Sequence, residues 1–115
     1  MIVVLFKNRL VEGRGGPEYD ALAMRMWEIV SEMPGFVSLD SYTTPDGGEL
    51  AVVTFESEES LEAWRRHPEH REAQRRGRDF FYDSYRVQVC TVTREYGFDR
   101  AAGADGAEHG ASASA

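Results

Sequence analysis

Between Ala63 and Gly77 the chain reads AWRRHPEHREAQRRG, with a tryptophan, two histidines and a glutamine spaced three or four residues apart among charged side chains. A neutral imidazole, with an ordinary pKa of about 6.5, can accept a proton near neutral pH. His70 precedes Ala73, Gln74 and Gly77 by three, four and seven residues, so a helix puts all four on one stripe. His70 is therefore a functional candidate on that stripe, against the alternative of a helix-end or surface histidine. Trp64 is either a pocket wall or core filling. Asn8 lies far upstream, among Ile2, Val4, Phe6 and Leu10 on one face of an alternating run. An amide at such a position must be paired or must face a cavity. It either borders a pocket or makes a structural hydrogen bond to a neighbouring loop.

Other chemistries are disfavoured. His67 and His70 with Glu69 make a poor metal site, because Pro68 disrupts the local geometry and no third ligand is evident. No metal is expected. His67, just before Pro68, reads as a helix exit or cap. The lone Cys90 excludes an internal disulfide and a cysteine-based zinc site. There is no glycine-rich dinucleotide fingerprint and no P-loop. With 13 basic and 20 acidic residues the net charge is −7, which argues against a nucleic-acid partner, since that needs a cationic face. No apolar run reaches the roughly 20 residues that span a bilayer, and the amino terminus lacks signal-peptide order. A cytoplasmic protein with no membrane partner is expected. Arg75, Arg76 and Arg78 read as a solvated face.

The elements that must hold these residues follow from periodicity. Residues 2–11 alternate as a strand, and Pro17 fits the first position of a helix. Tyr19, Leu22, Ala23, Met26, Val30 and Met33 form that helix's apolar stripe, widened by Trp27 and Ile29, and Pro34-Gly35 ends it. Residues 36–44 and 49–56 make two strands around a PDGG turn. Ser57 caps a short helix carrying Leu61 and Trp64. Pro68 interrupts that helix and restarts a longer one, with Ala73, Gly77, Phe80, Phe81 and Ser84 inward. Residues 85–96 form the fourth strand. The chain is expected to be one domain, residues 1–98, followed by a low-complexity disordered tail, residues 99–115.

The order β-α-β-β-α-β, with the second helix split, predicts an α+β ferredoxin-like fold: a four-stranded antiparallel sheet with its helices on one face. Yet both parities of the first and third strands are apolar. A sheet apolar on both faces must cover both, so patterning predicts a homodimer through the free face.

Several segments carry a family resemblance: KNRL with Asn8, the MPGF that ends the first helix, and LEAWRRHPEHREAQRRGRDFFYDSYRVQVC. Over residues 2–98 the sequence resembles the antibiotic biosynthesis monooxygenase superfamily of dimeric α+β-barrel proteins. The resemblance implies a pocket between helices and sheet. Its cofactor-independent members oxidise small aromatic, phenolic, polyketide-like metabolites with O2, bordered by such an asparagine and tryptophan. The resemblance also implies a one-electron relay role for the tryptophan, and a base is needed because a phenolate reduces O2 far more readily than a phenol. On that pattern Asn8, Trp64 and His70 are the candidate catalytic residues. Gln74, Gly77 and Phe81 are the candidate substrate contacts, although Phe81 equally suits simple packing and Gly77 close packing. Haem-opening members also carry an asparagine and a tryptophan, with a histidine ten residues after the tryptophan. Here that position is Gln74, which cannot serve as an axial ligand. Haem with His70 as an off-pattern ligand is thus the alternative to no cofactor. A non-oxidative cyclase or ligand-binding accessory role is the third reading.

Overall fold

The computed structural model describes residues 1–102 of the 115-residue chain. The elements are β1 (Ile2–Leu10), α1 (Pro17–Val30), β2 (Phe36–Thr43), β3 (Glu49–Phe55), α2 (Glu58–Arg66), α3 (Pro68–Arg76), a π-helical turn (Gly77–Phe81), β4 (Tyr82–Thr91) and a 3₁₀ turn (Arg100–Ala102). The four strands form one sheet in the order β2-β3-β1-β4, and every pairing is antiparallel. This is the expected ferredoxin-like α+β arrangement.

Local chemistry sets the boundaries. Pro17 opens α1 with Glu18 and Asp20 in its first turn, where acids complement the helix dipole. Gly35 follows with φ +82, and a Cβ there would run into Ser60. Its carbonyl accepts from Glu56 N–H at 2.8 Å, tying the end of α1 to the start of α2. Ser57 and Ser60 form a reciprocal cap on α2. His67, extended at φ −61 and ψ 127, ends α2 and opens α3, and its Nδ1 accepts from Glu69 N–H at 3.1 Å. The cap expected of His67 is thus present.

The core lies between the helices and one face of the sheet. Ile2, Val30, Phe55, Leu61 and Trp64 are buried together, with Val4, Met26, Ile29, Met33, Phe36, Leu39 and Val53 packed against them. On β1 these are the even-numbered residues, so Ile2, Val4, Phe6 and Asn8 look toward the helices. The opposite face presents Val3, Leu5, Leu50, Val52 and Cys90, all half-buried. Among the described residues no helix is long and apolar enough to cross a membrane.

Three expectations are corrected. The fourth strand runs from Tyr82 to Thr91, not from residue 85 to 96, because the chain leaves helical geometry through the π turn earlier than the pattern implied. Phe80 is 46% exposed and Ser84 lies exposed on the strand, so neither belongs to an inner helical stripe. Ala23 and Trp27 of α1 are likewise exposed. Of the tail expected to be disordered, residues 100–102 form the 3₁₀ turn, and residues 103–115 lie outside the described residues.

Phe55 has no exposed surface and sits where β3 meets α2. Truncating a fully buried phenylalanine costs about 3–5 kcal/mol. Phe55→Ala should therefore lower the urea midpoint strongly, with a loss in that range by two-state analysis. A loss below about 1 kcal/mol would mean that this residue does not anchor the core.

Candidate active site

Asn8 is 5% exposed and is the buried polar residue of the core face. Sheet register sets its neighbours: Glu49 of β3 stands opposite on one side and Tyr85 of β4 on the other. Asn8 Nδ2 donates to Glu49 Oε1 at 3.3 Å. A carboxylate only accepts, which fixes the orientation of the amide. Among the described residues no fully buried side-chain polar atom lacks a partner. Among the described residues the side-chain oxygen of Asn8, Oδ1, has no hydrogen-bond partner, so it keeps some contact with solvent.

An aromatic wall surrounds this amide. The Phe6 ring meets Tyr82 at 5.4 Å and Tyr85 at 5.6 Å, and Tyr19 of α1 meets Tyr82 at 5.8 Å and Phe81 at 5.4 Å, all edge-on. The Tyr19 and Tyr82 hydroxyls share a hydrogen bond of 2.9 Å. Burial raises the pKa of both phenols, and the charge of Glu49 raises them further, so both stay protonated at neutral pH. On β4, Tyr85, Val87 and Val89 are 42%, 50% and 54% exposed although they belong to the helix-facing side. They make an open apolar shelf running past Asn8.

The hairpin before Glu49 is anchored to the same place. A Cβ on buried Gly48 would come within 2.9 Å of the backbone carbonyl oxygen of Asn8, so only glycine lets the turn approach the strand so closely. Asp46 bonds to the Thr44 hydroxyl and pairs with Arg9, which also donates to the Asp46 carbonyl at 3.0 Å.

The residues of the 63–77 segment are placed differently from the single stripe expected. Trp64 is buried in the cluster that includes Ile2 and Phe55, whereas Asn8 lies six residues further along β1, roughly 20 Å at strand rise. His70 stacks on Trp64 with ring centroids 3.9 Å apart and planes at 12°. Its Nδ1 lies 3.0 Å from the Trp64 carbonyl oxygen, which can only accept, so Nδ1 carries the proton. Gln74 is exposed and lines a cleft of about 450 Å³ between α2 and α3, with Glu62, Arg65, Arg66 and Arg71. It is not turned toward the sheet, because the restart at Pro68 centres the buried stripe on Ala73, Gly77 and Phe81 instead. Gly77 is buried under the Tyr82 ring, where a Cβ would come within 2.6 Å. Phe81 is 1% exposed beside Tyr19. The structure thus sets Asn8 beside Tyr85, and the ring contacts of Phe6 and Tyr19 connect Tyr85 to Tyr82 over Gly77 and to Phe81. Trp64 and His70 form a separate pair, and Gln74 stands apart from both.

Glu49, Tyr19, Tyr82 and Tyr85 are the site residues that sequence reasoning did not single out. The signal was available in the hairpin: once the PDGG turn fixes β3, Glu49 must fall opposite an inward residue of β1. A second groove, about 470 Å³, lies between α1 and α3 over Leu22, Met26 and Ala73, bridged by the Arg25–Glu69 pair at 2.8 Å. It does not include Asn8.

Haem does not fit this arrangement. The position ten residues after Trp64 faces the solvent-exposed arginine cleft, and the nearest imidazole is packed flat on the indole. Among the described residues no three His, Cys, Asp or Glu side chains gather as a metal site.

Burial lowers the His70 pKa to about 4 from 6.5. The imidazole is neutral at pH 7 and a weaker base than an exposed histidine. The unfolded chain binds its proton first, so stability is lost as pH falls from about 6.5 toward 4. Between pH 7 and 5 the loss from this one group is about 2 kcal/mol. His70→Phe should remove most of that difference in urea melts, and the His70 ring protons of the wild type should titrate near pH 4. A midpoint above 6 would contradict the buried, stacked imidazole.

Comparisons with known proteins bear on the family and the fold. The family model described as antibiotic biosynthesis monooxygenase matches residues 1–76. The Bacillus subtilis (strain 168) protein YqjZ, itself uncharacterised, is 33% identical over 92 residues, which is 80% of this chain and 79% of that protein. Among solved structures, SnoaB, a cofactor-independent oxygenase from Streptomyces nogalater, superposes with a TM-score of 0.68 at 10% identity, covering 82% of this chain and 94% of that one. Rv0793 from Mycobacterium tuberculosis gives 0.67 at 21% identity, over 83% and 98%. At such identities these likenesses speak to the fold. The family match spans most of the folded chain and includes Asn8 and the split helix, and the chain belongs to the antibiotic biosynthesis monooxygenase family.

Proposed function

We propose that this chain is a cofactor-independent monooxygenase that oxidises a small phenolic, polyketide-like metabolite with O2. One observation carries the reading: an otherwise buried amide, Asn8, keeps a free carbonyl at the solvent edge beside an aromatic wall and an apolar shelf. A planar apolar ring suits the shelf of Tyr85, Val87 and Val89, and a ring hydroxyl or carbonyl suits the amide. The family membership and the fold shared with SnoaB support oxygen chemistry of this class.

The reaction balances without a co-substrate. A phenol and O2 give a quinone and water: one oxygen atom enters the ring and the other leaves with two hydrogens. The ring supplies all four electrons that O2 takes up. The protein's tasks are to bind the ring, loosen its hydroxyl proton and hold developing negative charge in a site partly shielded from water. Asn8 takes the substrate contact. The Trp64–His70 stack stands behind the core face as the candidate one-electron relay, with His70 set back as a proton acceptor by its low basicity.

We further infer that the chain works as a homodimer. Val3, Leu5, Leu50 and Val52 form an apolar sheet face that no helix or strand among the described residues covers. A second copy, laying the same face against it, buries both.

Purified, metal-stripped protein incubated with 1-naphthol should consume O2 in a one-to-one ratio with the 1,4-quinone. Asn8→Ala should lower kcat/KM by about 10²–10³, as losing one positioned polar group in an active site does. Product formed without O2 uptake would rule out oxygenation. In light scattering Leu5→Arg should convert a dimer into a monomer; an unchanged mass would place the contact elsewhere.

A further inference from the structure

We propose that Glu49 is the proton acceptor for the phenolic substrate, held in place by Asn8. This rests on the functional reading above and adds to it a base that the Trp64–His70 pair does not supply.

The placement is over-determined by the backbone. Glu49 is the first residue of β3 and pairs in register with Asn8. The buried Gly48 brings the turn against the backbone of β1 at Asn8, and Asp46, gripped by Arg9 and Thr44, locks the turn. The carboxylate is half-buried on the core face, where Asn8 Nδ2 is its hydrogen-bond partner. Five other carboxylates, Asp46, Glu62, Glu69, Glu72 and Asp79, are each paired with an arginine. Among the described residues Glu49 forms no such ion pair, and its partner is the Asn8 amide. A carboxylate placed on the core face beside the apolar shelf is positioned to meet a substrate hydroxyl.

Its surroundings suit the same task. Tyr19 and Tyr82 are protein phenols kept protonated partly by the charge of Glu49, so they wall the site without competing as anions. A substrate phenol on the Tyr85–Val87 shelf would feel that charge too, and would enter in its neutral form with its hydroxyl donating to Glu49. Transfer of the proton gives the phenolate and neutral Glu49, leaving one negative charge in the site before and after. The phenolate passes an electron to O2, and the resulting radical pair joins at a ring carbon. The proton on Glu49 completes the hydroperoxide. Loss of the ring C–H proton to Glu49 and of hydroxide from the peroxide, which combine as water, yields the quinone and restores the carboxylate.

Glu49→Gln keeps an oxygen facing Asn8 Nδ2 and removes the base. With 1-naphthol its kcat at pH 7 should fall about 10²-fold. It should then rise tenfold per pH unit until the substrate ionises by itself, whereas the wild type stays level over that range. A second readout needs no turnover. Bound 4-nitrophenol, followed by its visible absorbance, should ionise at a higher pH on the wild type and on Glu49→Asp than free in solution, and the shift should vanish in Glu49→Gln. A Glu49→Gln enzyme with the wild-type rate and pH profile would overturn the proposal. So would nitrophenol that fails to bind, or that ionises alike in both proteins. A Glu49-dependent nitrophenol shift without O2 consumption would uphold Glu49 as the acceptor and remove the oxygenase reading alone.

Discussion

Everything in this molecule hangs on β1, one of the two inner strands, with β3 along one edge and β4 along the other. Strand side chains alternate faces, so a slip of one residue would turn Ile2, Val4 and Phe6 away from the helices and send Lys7 inward. The apolar residues therefore fix the register, and Asn8 has to accept the burial this imposes. An unpaired buried amide costs about 1–3 kcal/mol. Glu49, delivered by the hairpin at the matching rung, removes part of that cost. The site is a by-product of core geometry: once the apolar rungs are aligned, an amide, a carboxylate and a tyrosine must share one rung.

The helical layer divides its labour along its length. Its inner side carries Leu61, Trp64, Ala73, Gly77 and Phe81, while its outer side holds Glu62 with Arg65 and Arg66, and Glu72 and Asp79 with Arg75. Exposed ion pairs of this kind add little to stability, because water and salt screen them. They make the surface soluble and leave stability to the apolar side. The break at Pro68 lets α2 lie over the Ile2 end of the sheet and α3 continue toward the Tyr82 end, so one polypeptide segment touches both halves of the core.

The element order, the helix caps and the inward face of Asn8 were legible in the sequence, because each depends on local chemistry or a short period. Ser57 and Pro17 announce helix starts, and two-residue alternation assigns a side. The neighbours of Asn8 were harder to read. Glu49 and Tyr85 reach it only through pairings 41 and 77 positions apart in the chain, and one of those pairings crosses a bulge between Arg9 and Leu10. Gln74 misled for a related reason. Counting from His70 by four places it on the inner stripe, yet Ala73 and Gly77 are the residues packed there, and Gln74 lies one step around the helix toward solvent.

The π turn at Gly77–Phe81 fits one more residue into a turn than an α-helix would. It acts as a phase shifter between two incompatible rhythms, the 3.6-residue period of α3 and the two-residue period of β4. Phe81 leaves it pointing inward, its backbone carbonyl accepting from Val11 N–H at 2.8 Å, while Tyr82 begins the strand with its ring over Gly77. Deleting any one residue from this turn would restore regular helical winding and invert every side chain of β4. Tyr85, Val87 and Val89 would then turn to the outer face, and Arg86 and Gln88 would be carried in to the rungs beside Asn8 and Phe6. Insertions and deletions, which most surface turns absorb without consequence, are therefore excluded from these five residues.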